Sequence, residues 1–251
     1  MLLINEKSAA QDDSSSLVVW LLDTEQIPAS ANTSSWWRIR AGLSNGEILT
    51  ADRFTHSEAC LRYLGARMLV RHALAHVTPC EPQELVFTSD NLGKPYVIAP
   101  PVATKWFFNL SHSGRLIACV VRDRPVGIDV ESQNRELAGL LHSNFLFTEN
   151  EVKWITSRAE RIKQRATALW TLKEAYLKAI GLGLSFPMAD VRFRQHKCQF
   201  NVYPNAAVTS LDWYCRLLSP FPNYWLAISG KGPLVKPRIN WMCCEENAQF
   251  I

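Results

Sequence analysis

The sequence predicts an α+β fold in two similar halves, and three observations lead there. Strand-length apolar runs occur both before and after Arg122-Asp123-Arg124-Pro125, and short runs rich in β-branched and aromatic residues read as strands. Each side also holds a segment with apolar residues at helical spacing, 56–76 in the first and 170–180 in the second. The charged, proline-ended tetrapeptide at 122–125 is the candidate hinge, so the predicted halves are 1–124 and 125–251. No sequence repeat relates them.

The elements follow in order. After a polar lead-in ending at Ser16, the run Leu-Val-Val-Trp-Leu-Leu-Asp at 17–23 reads as a buried strand. A loop rich in Ser, Asn and Gly comes next. Leu61, Leu64, Met68, Leu69 and Ala73 then mark a helix from His56 to His76, with Thr55 as its N-cap and Glu58 three residues on. Pro79 and Pro82 stop it. The runs 85–88 and 94–98 flank Asn-Leu-Gly and read as a hairpin. Residues 106–113 and 115–121 add two extended runs, broken at Ser113-Gly114. Past the hinge, Val126–Glu131 is a strand, two or three helices follow, and strands return around 191–203, 211–217 and 224–229. The helix through Trp170 and Ile180 ends at Gly181, a left-handed cap. Glu245–Ile251 reads as a frayed tail.

Composition narrows the function classes. Of 251 residues 47% are hydrophobic and 20% charged, an ordinary globular balance with enough apolar matter for a working core. A net charge of +4 does not call for nucleic acid, but suits an anionic ligand or an acidic partner. Cysteines 60, 80, 119, 198, 215, 243 and 244 show no zinc-ligand spacing and read as reduced thiols, with Cys243 and Cys244 continuing a terminal strand. The start of the chain lacks signal-peptide character. No run reaches the roughly 18 apolar residues that mark a membrane span. The expectation is a soluble, cytoplasmic protein.

Three stretches concentrate chemistry. In Val126-Gly127-Ile128-Asp129-Val130-Glu131, Asp129 and Glu131 lie two apart on a strand and so project to one face. Two carboxylates on an apolar strand need a cation: Mg²⁺, which favours hard oxygen ligands, or a base such as Arg135. In Trp170-Thr171-Leu172-Lys173-Glu174-Ala175-Tyr176-Leu177-Lys178, Glu174 and Lys178 share a helical face, which could also be a plain surface pair. Leu169, Leu172, Tyr176 and Ile180 lie on the other side and can pack into the core. In Asn109-Leu110-Ser111-His112-Ser113-Gly114, hydroxyls, an imidazole and turn N–H groups can grip phosphate. A Ser/His nucleophile is disfavoured, because neighbours on a strand point apart and no nucleophile elbow is present.

Together these motifs resemble the 4′-phosphopantetheinyl transferases, of the broad-specificity type that serves peptide and polyketide synthases. The resemblance covers roughly 50–190 and includes Gly93-Lys94-Pro95 and the Leu61–Arg71 helix. It implies two α+β halves related by a pseudo-twofold, with the active site and coenzyme A in the cleft between them. It implies Mg²⁺ held by Asp129, Glu131 and Glu174, catalysis by Glu151, Glu174 and Lys178, and coenzyme A contacts from Arg62, Lys94, Ser111, His112 and Lys178. The partner it implies is an acyl or peptidyl carrier protein. No nucleic acid or membrane is expected, and a monomer can complete the site. A coenzyme A pyrophosphate hydrolase and a non-catalytic coenzyme A-binding protein are the alternatives.

Glu151 carries two readings. Thr148-Glu149-Asn150-Glu151 is a capping box, and by family position Glu151 is the base for the carrier serine. One departure concerns the 3′-phosphate of coenzyme A. Where the family carries basic residues upstream of Arg62, this chain has Gly46, Leu49 and Asp52, with only Arg53 remaining. Arg38, Arg40 or Lys94 are the candidates to replace them.

Overall fold

A computed structural model describes residues 17–27, 40–196, 199–204 and 212–242. The chain forms two compact units, one of residues 1–123 with 235–251, the other of 124–234.

The first unit is built on a four-stranded sheet. Strand β1 (Val18–Asp23) is buried along its whole length, as its unbroken apolar run demands. Helix α1 (Asn45–Ala51) begins at a capping box in which the Ser44 side chain accepts from the Glu47 N–H and Glu47 returns the bond. Helix α2 (Ser57–Val77) follows. The hairpin of β2 (Val86–Ser89) and β3 (Pro95–Ala99) stands apart as its own antiparallel pair. Asp90 Oδ1 closes its turn by accepting from the N–H groups of Leu92 and Lys94. Strands β4 (Phe107–Ser113) and β5 (Leu116–Arg122) pair antiparallel, and β5 pairs antiparallel with β1. Helix α2 packs on β5 and β1. It comes close enough that a Cβ on Gly65 would lie 2.9 Å from Ile117 and Ile27 methyls.

The second unit is a five-stranded antiparallel sheet with a helix across it. Strand β6 (Val126–Ser132) leads into helices α3 (Glu149–Thr156) and α4 (Ile162–Ile180). Strands β7 (Val191–His196), β8 (Gln199–Pro204), β9 (Trp213–Leu218) and β10 (Tyr224–Lys231) complete the order β6-β10-β9-β8-β7. Helix α4 packs on β6 and β10 and ends at Gly181, φ +76°, whose N–H donates to Leu177 O.

Four differences from the sequence reading have physical causes. The serine-rich loop contains α1, whose capping box fell in a segment too short to show helical periodicity. The N-cap of α2 is His56, without a side-chain cap bond, in place of Thr55. Residues 191–203 form two strands rather than one run. The boundary near Pro125 stands within a residue, but 125–251 is not one half. Strand β11 (Arg238–Trp241) returns to pair parallel with β1. Strand β1 is buried on both faces and would otherwise leave an open edge. Leu17 O and Leu21 O accept from the N–H groups of Arg238 and Met242.

The described cysteines, Cys60, Cys80, Cys119 and Cys215, are free thiols. Among the described residues no helix is long and apolar enough to cross a membrane. Arg38, Cys198, Cys243, Cys244 and the tail from Glu245 lie outside the described residues.

Candidate active site

The packing of α4 on β6 creates the charged cluster. Gly127, Asp129 and Glu131 share one face of β6, and that face meets α4. A Cβ on Gly127 would fall 2.9 Å from Ala179 Cα and closer still to Ala175 O and Ala179 N. Glycine on the strand, opposite alanines four apart on the helix, therefore permits near-backbone contact. The residue two along from Gly127 is then carried against the same helix. Lys178 Nζ donates to Asp129 Oδ1 at 2.7 Å.

Asp129, Glu131 and Glu174 are buried, at 3%, 9% and 8% exposure. Arg135 pairs with Glu131 four residues earlier, so the arginine alternative weighed from sequence is realised. The Arg135 guanidinium lies 4.4 Å over the Trp170 ring, which gives that motif tryptophan a positioning role. Burial raises the pKa of Glu174, and the Asp129 charge raises it further, against the opposing pull of Lys178 and Arg135. Three carboxylates thus share two cations, a donor set whose hard oxygens suit Mg²⁺ in chemical type. Among the described residues, no three His, Cys, Asp or Glu side chains stand converged as a metal-binding group.

A second constellation adjoins it. The Thr148 side chain accepts from the Glu151 N–H, and Glu151 Oε2 accepts from the Thr148 N–H at 2.8 Å. The capping reading is therefore correct. The same Oε2 accepts from Lys173 Nζ at 2.7 Å, and Lys173 also donates to Leu146 O at 2.9 Å. Sequence reasoning missed Lys173, whose side chain is fully buried. Its position was the available clue: helical spacing sets residue 173 among Ala166, Trp170 and Leu177, all buried, and a lysine there requires a partner. Burial lowers its pKa, with Glu151 opposing. Beside Glu151 opens a groove of about 620 Å³, lined by Trp154, Arg165, Phe193, Phe200, Leu217 and Trp225 among others.

In the first unit the predicted donor contacts lie on three elements. Ser111 and His112 occupy β4, Ser111 buried and His112 exposed, as alternation requires. Arg62 makes the local ion pair with Glu58, at 3.7 Å. Lys94 immediately precedes the return strand of the hairpin, and burial lowers its pKa against the pull of Asp90. Arg40 is held by Asp52 through two bonds of 2.8 and 3.1 Å.

The comparisons with known proteins agree over residues 29–123 and 125–229. Residues 125–229 match the family model described as the 4′-phosphopantetheinyl transferase superfamily, and residues 29–123 match one described as 4′-phosphopantetheinyl transferase, N-terminal. A 4′-phosphopantetheinyl transferase of Bacillus subtilis is 32% identical over 160 residues, covering 62% of this chain and 68% of that one. The 4′-phosphopantetheinyl transferase Sfp of Bacillus subtilis strain 168 is 30% identical, over 77% of this chain and 84% of its own. HetI of Nostoc sp., a 4′-phosphopantetheinyl transferase, is 34% identical over 64% of this chain and 68% of its own.

Proposed function

Since the chain belongs to the 4′-phosphopantetheinyl transferase superfamily, we propose that it transfers the 4′-phosphopantetheine arm of coenzyme A to a serine of an apo-carrier protein. The observation that carries this reading is the cluster of buried Asp129, Glu131 and Glu174 with half-buried Lys178 on β6 and α4. The serine oxygen attacks the phosphorus that bears the pantetheine, the pyrophosphate P–O bond breaks, and 3′,5′-ADP leaves. Phosphoryl transfer of this kind asks a protein mainly for positioning and charge neutralisation.

Asp129, Glu131 and Glu174 would hold Mg²⁺, which when bound neutralises charge on the pyrophosphate. Lys178 offers an ammonium to the oxygen that gains charge as the bond breaks. Glu151 takes the serine proton. Its bonds to the Thr148 N–H and Lys173 both fall on Oε2, which leaves Oε1 for the incoming hydroxyl. Cap and base are then one residue in two uses.

The carrier is acidic in this reading, as the +4 charge favours. Of the apolar residues Phe145, Leu146 and Trp154, Phe145 and Trp154 are exposed while Leu146 is buried, so only the two exposed rings can meet it. The reading extends to a monomer in the cytoplasm, where thiols stay reduced. Incubating the purified chain with coenzyme A, Mg²⁺ and a panel of apo-carriers tests the proposal. One carrier should gain the mass of one phosphopantetheine arm. Coenzyme A cleaved with no gain on any carrier would favour the hydrolase, and coenzyme A bound but uncleaved would favour the binding protein.

A further inference from the structure

Asp23 is a buried carboxylate that the proposed chemistry does not use. It ends β1, a strand otherwise apolar, and its side chain is 4% exposed. A carboxylate so placed needs donors, and three N–H groups supply them. Arg115 Nε donates to Oδ1 at 2.8 Å, Arg115 Nη2 donates to Oδ2, and the Glu25 N–H donates to Oδ1 at 3.1 Å. The guanidinium therefore grips both carboxylate oxygens, a bidentate geometry that fixes orientation as well as charge. Its Nη1 pairs with Glu25 at 2.5 Å. The backbone adds another tie, since the Thr24 N–H donates to Arg115 O at 2.8 Å.

Arg115 sits in the turn that follows Ser111 and His112. Strands β4 and β5 join through Gly114 and Arg115, with Ser113 paired to Leu116, His112 to Ile117 and Ser111 to Ala118. Gly114 takes φ +53°, as the first central position of a two-residue hairpin turn requires. Such a turn sets the register of the strands it joins. Strand β4 is also the edge of its sheet, and the tip of an edge hairpin is where local opening starts most readily. Asp23 faces Leu116 across the β1–β5 pair. The arginine next along reaches back to the end of β1 and ties this tip across the sheet.

We propose that Asp23 is a positioning residue for coenzyme A: through Arg115 it fixes the β4–β5 turn, and with it the places of Ser111 and His112. The inference rests on the proposed function and on the coenzyme A contacts that the family resemblance gives those two side chains. A rival role for the same arginine is direct, because Arg115 is 40% exposed and a guanidinium binds phosphate well. The two roles differ in sign when Asp23 loses its charge. Asp23→Asn keeps the side-chain volume and frees the arginine to solvent. A directly binding arginine, once released, tightens the donor complex, whereas an opened clamp weakens it.

Calorimetric titration with coenzyme A, transfer kinetics and hydrogen exchange of the full chain test this. Asp23→Asn should weaken coenzyme A about tenfold, the size of one charge-assisted hydrogen bond. KM should rise in step while kcat stays within about twofold. Exchange in 107–113 should quicken and exchange in 126–132 should not. Arg115→Lys, which keeps the charge and loses the fork, should match Asp23→Asn. Glu25→Gln alters a side chain that is 65% exposed and should change affinity by less than about twofold. Because Asp23 acts through the turn, Asp23→Asn should cost little more in a chain already carrying Ser111→Ala and His112→Ala. Full additivity in that background, unchanged exchange in 107–113, or tighter coenzyme A binding by Asp23→Asn overturns the assignment while leaving the proposed function standing. Failure of the unaltered chain to bind or use coenzyme A overturns both.

Discussion

Exchanging Glu151 for glutamine and Lys173 for methionine reveals which member of their buried pair is the liability. Lys173 is wholly shielded, whereas the Glu151 side chain keeps 15% of its surface exposed. Glu151→Gln leaves an ammonium with the Leu146 carbonyl and an amide, with only the weaker pull of Asp190 as counter-charge. Removing one partner of a buried pair costs about 3–5 kcal/mol, and Glu151→Gln belongs in that range. Lys173→Met keeps the apolar volume and leaves Glu151 partly solvated and still bonded to the Thr148 N–H. What it loses is chiefly the donor to Leu146 O, about 1–3 kcal/mol. With neither charge present the penalties should not add, and the double variant should show a coupling of roughly 2 kcal/mol. Urea unfolding of the four proteins, with slopes compared, supplies the numbers. Titration gives an independent handle. Burial places the folded-state pKa of Lys173 below its unfolded value. The unfolded chain then binds more protons between the two, so stability rises as pH climbs through that window. Lys173→Met should flatten the rise. Lys173→Met proving the costlier change, or strict additivity in the double variant, would refute the desolvation argument.

Three further outcomes are expected. Gly127→Ala should cost about 3 kcal/mol or more, because the obstruction is backbone, whereas Gly65→Ala meets side-chain methyls that can shift and should cost about 1–2 kcal/mol; urea midpoints rank the two, and a neutral Gly127→Ala would remove the close-approach account of the motif glycine. The folded-state pKa of Glu174 lies above its unfolded value, through burial first and then Asp129, so the folded chain binds the extra proton and stability falls as pH rises through that window. Glu174→Gln should therefore melt higher than the unaltered chain in metal-free buffer at neutral pH while losing transfer, and added Mg²⁺ should raise the melting temperature of the unaltered chain only; a lower melting point in metal-free buffer contradicts the pKa argument. Lys178→Ala should lower kcat about a hundredfold with a smaller loss of coenzyme A affinity, as an interaction made mainly in the transition state requires; equal losses would make it a ground-state contact.

What could be read from sequence divides along the range of the interactions. Asp129 and Glu131 were legible because alternation on a strand is a local rule, and the C-cap at Gly181 was legible because its cause lies within one turn. Alternation also explains why Ser111 and His112 part to opposite faces. The role of Gly127 was not legible. It exists only because Ala175 and Ala179, about fifty residues on, press against it. Lys173 was hidden for the same reason: its partners, Leu146 O and Glu151, lie just before and at the start of another helix. The same limit applies to β11, whose place beside β1 is set by an edge more than two hundred residues upstream. Glu131 is the instructive middle case. Sequence offered it both a metal and Arg135, and the structure pairs it with Arg135 while Lys178 holds Asp129. Neutralisation of those carboxylates is therefore built into the fold. A buried acidic cluster that would otherwise be self-repelling is kept compact by two cations, one on its own strand's extension and one on the facing helix.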